Sequence, residues 1–140
     1  MGARPMPEQI AIEERTFEFG VAITRFCDDY DDFRLIARRN ALGQLVRAGT
    51  SVGANVEEAQ GAHSRADFLS KMTIALKEAR ESRYWLRLIL KSRLVDAFVA
   101  RSREQPKERT EQLLQEADEL RNILGASVRT LRKHKNATLQ

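Results

Sequence analysis

The residues most able to do chemistry are few and scattered. The chain has two histidines, His63 and His134, and one cysteine, Cys27. A di-iron site in a helical bundle needs two Glu-x-x-His pairs pointing inward, and neither histidine follows a glutamate by three. A zinc site needs clustered Cys and His ligands, which two distant histidines and one thiol do not supply. Gly49 and Gly53 lack the Lys-Ser/Thr that completes a phosphate-binding loop. Ser51 has no histidine on its own helix to activate it. Asp28, Asp29, Asp31 and Asp32 lack the glycine and closing glutamate of a calcium loop. Glu78 and Glu81 flank basic residues, the pattern of surface pairing rather than acid catalysis. The sequence therefore predicts no enzyme, no cofactor and no metal.

Two basic groups remain as candidate nucleic-acid contacts. Arg80, Arg83, Arg87 and Lys91 fall within an arc of about 80° on one helix. Arg129, Arg132, Lys133 and Lys135 form a second group with no acid among them. Either group can be an ordinary solvated face, since cations near a helix C-terminus suit its dipole. Repetition around a ring would multiply phosphate contacts, and with them affinity and salt dependence. Neither patch reads as carrying the interleaved aromatics of base stacking, so sequence-independent phosphate binding to RNA or DNA is the expectation.

These residues must be placed by helices. Ile12, Phe19 and Phe26 recur at seven, with Ile23 and Tyr30 completing the stripe, and predict a helix from Glu13 to Asp28. Leu35, Leu42, Leu45, Gly49, Val52, Val56 and Ala59 predict a second, from Phe33 to Gln60. Phe68, Met72, Ala75, Ala79, Ser82, Leu86 and Ile89 predict a third, from Arg65 to Lys91. Pro106 suits the first turn of a fourth, with Leu113, Ala117, Leu120, Leu124, Ser127 and Leu131 along it and fraying after Lys133. Between the third and fourth, Leu94, Val95, Phe98 and Val99 are candidate anchors. Gly61 marks one helix end, and Ser64 with Asp67 the next start, so helices two and three form an antiparallel hairpin.

Helix two is unusual in its small residues. A helix-interior glycine costs roughly 1 kcal/mol against alanine, so Gly49 and Gly53 imply a groove where another helix comes close. Ser51, Asn55 and Glu58 form a polar stripe about 110° from the apolar seam. That stripe can serve a neighbouring helix, a neighbouring subunit or solvent. Tyr84, Trp85 and Leu88 carry apolar character beyond the seam of helix three, which points to a second partner or a widened core.

The stretches Gln44–Gln60 (Q-L-V-R-A-G-T-S-V-G-A-N-V-E-E-A-Q), S-R-A-D-F and K-M-T-I-A-L-K-E-A-R-E-S-R-Y-W-L closely resemble the bacterial four helix bundle protein family. That family includes proteins encoded in intervening sequences of 23S ribosomal RNA genes. The resemblance is dense from Phe17 to Leu90. It implies an all-α, antiparallel up-and-down four-helix bundle assembled as a ring-like homopentamer. A relative, the accessory protein of diversity-generating retroelements, resembles a basic pentamer that binds nucleic acid and a reverse transcriptase. For most members the activity is unknown, so the resemblance speaks to shape before purpose.

Composition agrees with one helical domain. The chain has 140 residues, 42% hydrophobic and 6% aromatic, with seven glycines and three prolines. We expect a flexible segment over 1–12, the bundle over 13–133 and a flexible tail over 134–140. One cysteine leaves no internal disulfide, and its apolar neighbours suit a core residue. No stretch is apolar enough to span a membrane, and a cytoplasmic protein is the expectation. The net charge of +4 is uneven. Residues 1–32 hold three basic residues against eight acids, and 33–140 hold 21 against 12. Such asymmetry marks a polyanion surface or complementary subunit faces. Two readings follow. One is a helical oligomer binding RNA or DNA through phosphates. The other is a protein-interaction scaffold, in which Gly49, Ser51, Gly53, Asn55, Glu58, Tyr84 and Trp85 make helix or subunit contacts.

Overall fold

Four heptad-like stripes, each too narrow to be buried alone, are satisfied by packing against one another. The computed structural model describes residues 11–96 and 105–138. Pro5, Pro7, Phe98, Val99 and the side chain of Lys135 lie outside the described residues. The helices are α1 (Ala11–Tyr30), α2 (Ile36–Gln60), α3 (Arg65–Ser92) and α4 (Pro106–Thr138). The order of packing follows the chain: α1 on α2, α2 on α3, α3 on α4, with α1 and α4 meeting along the thinnest contact. The described residues form an all-α four-helix bundle.

The core is drawn mainly from the predicted stripes, with Ile12, Phe68, Leu113 and Leu131 only partly buried against it. Phe19, Ile23, Phe26, Tyr30, Leu42, Leu45, Val52, Val56, Met72, Ala75, Ala79, Leu86, Ile89, Leu120 and Leu124 are all buried. Three small polar side chains are buried with them. Thr16, Ser82 and Thr110 each donate to the carbonyl four residues back on their own helix, at 2.7 to 2.8 Å. Those hydroxyls are spent locally. Cys27 is buried and donates to the Leu42 carbonyl at 3.4 Å. Burial, with the nearby Asp31 charge, pushes its thiol pKa up to about 12. The thiol thus stays protonated and acts as a small core residue.

α1 runs from Ala11 to Tyr30 rather than from Glu13 to Asp28, and the start of α2, the α4 stripe and the end of α4 also depart from expectation. α2 starts at Ile36 rather than Phe33 because Asp32 builds a turn ahead of it. Its carboxylate accepts from the Arg34 backbone amide and guanidinium, both at 3.0 Å. The Arg34 side chain, then its amide, draws the Asp32 pKa down to about 2. Leu35, expected in the seam, is therefore the exposed residue before the helix. On α4 the buried residue is Val128, not the half-buried Ser127. The stripe steps by four from Leu120 through Leu124, which carries it one position past the heptad reading. The helix also continues through Lys133 to Thr138.

The ends of α3 are set by local chemistry. Ser64 caps its start, its hydroxyl accepting from the Asp67 amide at 3.0 Å. Arg93 ends it in the left-handed region, φ 56°, where its amide and the next one return to the Leu90 and Ile89 carbonyls. This turn seats Val95 in the core. It also aims the Leu94 carbonyl at the Arg38 guanidinium, 2.7 Å away, which makes a buried arginine part of the scaffold. Gly61 follows α2 as its cap but at φ −96°, so no left-handed freedom is used there.

Candidate nucleic-acid interface

The α1–α2 side is closed by steric fit. A Cβ on Gly53 would lie 2.9 Å from the Thr16 carbonyl oxygen. One on Gly49 would meet the Ile23 side chain at 2.8 Å. The groove predicted from the two glycines thus exists, and α1 of the same chain fills its inner side. The polar stripe next to it turns inward on itself. Ser51 donates to the Arg47 carbonyl at 2.7 Å and Asn55 to the Ser51 carbonyl at 2.8 Å. Glu58 alone reaches across, to Lys71 of α3 at 3.0 Å. That hydrogen bond holds the Lys71 ammonium above its ordinary pKa. Outside, α1 and α2 leave an open groove of about 580 Å³ along Phe17, Gly20, Val21, Gly53 and Ala54. Phe17 is 61% exposed on it.

The α3–α4 side carries the cations. Arg80, Tyr84, Arg87 and Lys91 fall within about 60° of one another on α3, and all four are exposed. Arg80, Arg87 and Lys91 form no ion pair among the described residues. Arg83 sits about 40° further round, and it is not free. Its guanidinium pairs with Asp118 of α4, which Arg121 also approaches at 3.7 Å. The predicted four-residue stripe is therefore three cations plus an interhelical pair. Glu78 and Glu81, predicted to be paired, meet Arg47 of α2.

Tyr84 changes the reading of this face. Its sequence context suggests a contact surface, apart from the basic patches. In the structure it stands between Arg80 and Arg87, 54% exposed. Its ring meets Trp85 edge-on, centroids 5.0 Å apart at 81°. Trp85 is half buried against the core, its Nε1 buried without a partner among the described residues. Tyr84, Arg87, Leu88, Lys91 and Leu114 line a shallow depression of about 530 Å³. The spacing 80, 84, 87, 91 carried this signal, since four-residue steps share a helical face.

The second basic group lies elsewhere. Arg129, Arg132 and Lys133 are exposed near the end of α4. Leu114 of α4 borders Arg87 and Lys91, and Gly125 lies against Leu76, so α4 runs antiparallel to α3. From Leu114 to Arg132 the helix rises about 27 Å. One protomer therefore offers two separate basic ends rather than one continuous patch.

Other charged side chains hold the bundle together, and sequence reasoning missed them because their partners lie on distant helices. Arg15 forks onto Glu116 at 2.9 and 3.0 Å and reaches Glu119 at 2.7 Å. Arg109 pairs with Asp29 at 2.9 Å and lies over the Phe26 and Tyr30 rings, 5.6 and 5.2 Å from their centroids. Both close the thin α1–α4 contact. Among the described residues no group of His, Cys, Asp and Glu is placed to hold a metal ion. Nor, among the described residues, is any helix long and apolar enough to cross a membrane.

Comparison with known proteins places this architecture. No curated protein matches the chain. A solved structure of a protein of unknown function, from the S23 ribosomal protein family of Bacteroides thetaiotaomicron, is 31% identical with a TM-score of 0.65. The match covers 84% of this chain and 98% of that one. The family described as 23S rRNA-intervening sequence protein matches residues 8–126, from before α1 into α4. That match spans most of the 140 residues, and the chain belongs to the 23S rRNA-intervening sequence protein family.

Proposed function

We propose that this protein is a non-enzymatic helical oligomer that binds RNA or DNA through phosphate contacts. The observation that carries the reading is the exposed trio Arg80, Arg87 and Lys91. They share one face of α3 and have no acidic partner among the described residues. Arg129, Arg132 and Lys133 add a second contact at the far end of α4. Three phosphate contacts per protomer give a slope of log affinity on log salt of about −2 to −3. Assembly of several copies steepens it. Arg83 contributes less than its neighbours, because Asp118 neutralises it.

Self-association is part of the proposal. The outer α1–α2 groove exposes Phe17 beside Gly20, Val21 and Ala54. A half-exposed phenylalanine over small residues is the kind of surface a second helix covers. The same observation favours the rival reading, a scaffold for protein partners without a nucleic-acid role.

The test is binding of the purified protein to labelled RNA and DNA at two salt concentrations, with mass measured by light scattering on the same sample. Salt-sensitive binding by a multimer is the expected result. Arg87→Glu together with Arg132→Glu should weaken it at least tenfold, with helicity and mass unchanged. No binding at low salt with the multimer intact would overturn the nucleic-acid reading and leave the scaffold. A mass equal to the 16.0 kDa monomer would overturn self-association.

A further inference from the structure

The geometry points to a stacking site for an unpaired base on Tyr84, which makes single-stranded nucleic acid the preferred ligand of the α3 face. This rests on the phosphate-binding reading above and narrows it. Three observations converge on one helical face. Tyr84 is exposed, and edge contact with Trp85 steadies its ring. Arg87 and Lys91 follow it one and two turns on, and Arg80 precedes it by one turn. Leu88 and Leu114 form the apolar floor beside it. A base can lie on the tyrosine ring while the backbone phosphates on either side meet the cations. Single-stranded binding proteins combine these same parts, an aromatic platform and a cationic track. A duplex keeps its bases stacked on each other and offers none to the ring.

A protein partner is the competing occupant of this surface. The cores of protein interfaces are depleted in charge. Here three cations without acidic partners among the described residues run along the helix beside a single exposed aromatic ring. Burying them against a protein would require three matched acids. A phosphodiester chain supplies the negative charge at regular spacing. The depression therefore favours nucleic acid, and the outer α1–α2 groove, with its exposed Phe17 and small residues, suits protein contact better.

The test uses the full-length protein with a labelled oligo(dT) and a duplex of equal length. Tyr84→Ala, Tyr84→Phe and Arg87→Glu are compared with the parent, with helicity by circular dichroism and mass by light scattering. Tyr84→Ala should weaken oligo(dT) binding about 5- to 100-fold and leave duplex binding within twofold. Tyr84→Phe should keep most of the affinity, because the ring remains. Arg87→Glu should weaken both ligands. Equal oligo(dT) affinity for the parent and Tyr84→Ala would overturn the stacking site, and the phosphate reading would stand if Arg87→Glu still weakens binding. A fall in mass with Tyr84→Ala would make the ring a contact between copies and overturn the site as well. Failure of the parent to bind either ligand at low salt would bring down both readings together.

Discussion

The two hairpin seams of this bundle are closed by opposite means. α1 meets α2 through small residues, with Gly53 under the Thr16 backbone and Gly49 under Ile23. No ion pair joins those two helices among the described residues. α3 meets α4 through longer side chains and the Arg83–Asp118 pair. Charge divides the same way. α1 holds two basic residues against five acids, and α3 seven against three. A seam closed by contact between backbones needs no charge and leaves none over. A seam bridged by arginines uses some of them and leaves others facing out. In this protein the candidate function lies with the second kind, because its surplus cations are held on a rigid helix whose inner face is already buried.

The sharpest way to break this comparison is to add one carbon to the tight seam. In Gly53→Ala the new Cβ would sit 2.9 Å from the Thr16 oxygen and 3.2 Å from the Phe17 amide nitrogen. These are backbone atoms and can yield only if α1 moves. Overpacking of this kind costs about 1–3 kcal/mol, against a gain of about 1 kcal/mol in helix propensity. A net loss of about 1 kcal/mol, and at most about 2, is expected in urea denaturation. A midpoint raised by about 1 kcal/mol, the gain of an unhindered helix position, would mean that the seam is not closed by steric fit. Gly43→Ala is the matched control on the same helix, with nothing within 4 Å of its Cβ. It should stabilise by up to about 1 kcal/mol. If both substitutions shift the midpoint in the same direction, helix propensity rather than the α1 contact governs this helix.

Much of this was legible in the sequence, and where legibility stopped follows from distance along the chain. The apolar stripes of α1, α2 and α3 obey a local period, so their buried residues could be read from spacing. The Gly49–Gly53 pair announced a close helix. The Ser64 cap needed only three residues to be seen. Leu35 and Ser127 fall outside the seam, and Val128 takes the place of Ser127, because a turn at Asp32 and a drift in the α4 stripe override the simple heptad. The candidate site was half legible. Arg80, Arg87 and Lys91 could be grouped from spacing, but nothing near Arg83 in the chain reveals that Asp118, 35 residues on, takes its charge. Tyr84 was visible in the sequence and assigned to packing. Its exposure depends on which way α3 rolls against α2 and α4, and a helical period does not contain that.

Asp118 also gives the smallest and most specific expected effect. Its carboxylate is 38% exposed and pairs with Arg83, itself 30% exposed, with Arg121 close by. Pairs this open to water contribute little, so Asp118→Asn should cost at most about 0.5 kcal/mol while keeping side-chain volume. Its consequence for binding is larger in kind. With the carboxylate gone, Arg83 is free to extend and join the cations at 80, 87 and 91. One added phosphate contact per protomer should steepen the salt slope by about 0.7 to 0.9 and tighten binding at low salt severalfold. The same substitution in an Arg83→Gln background should have no such effect, since there is no cation to release. A slope unchanged by Asp118→Asn would mean that packing, rather than the carboxylate, holds Arg83 against α4. In that case the α3–α4 seam would be closed by fit, as the α1–α2 seam is, and the division between the two halves of the bundle would be one of surface charge alone.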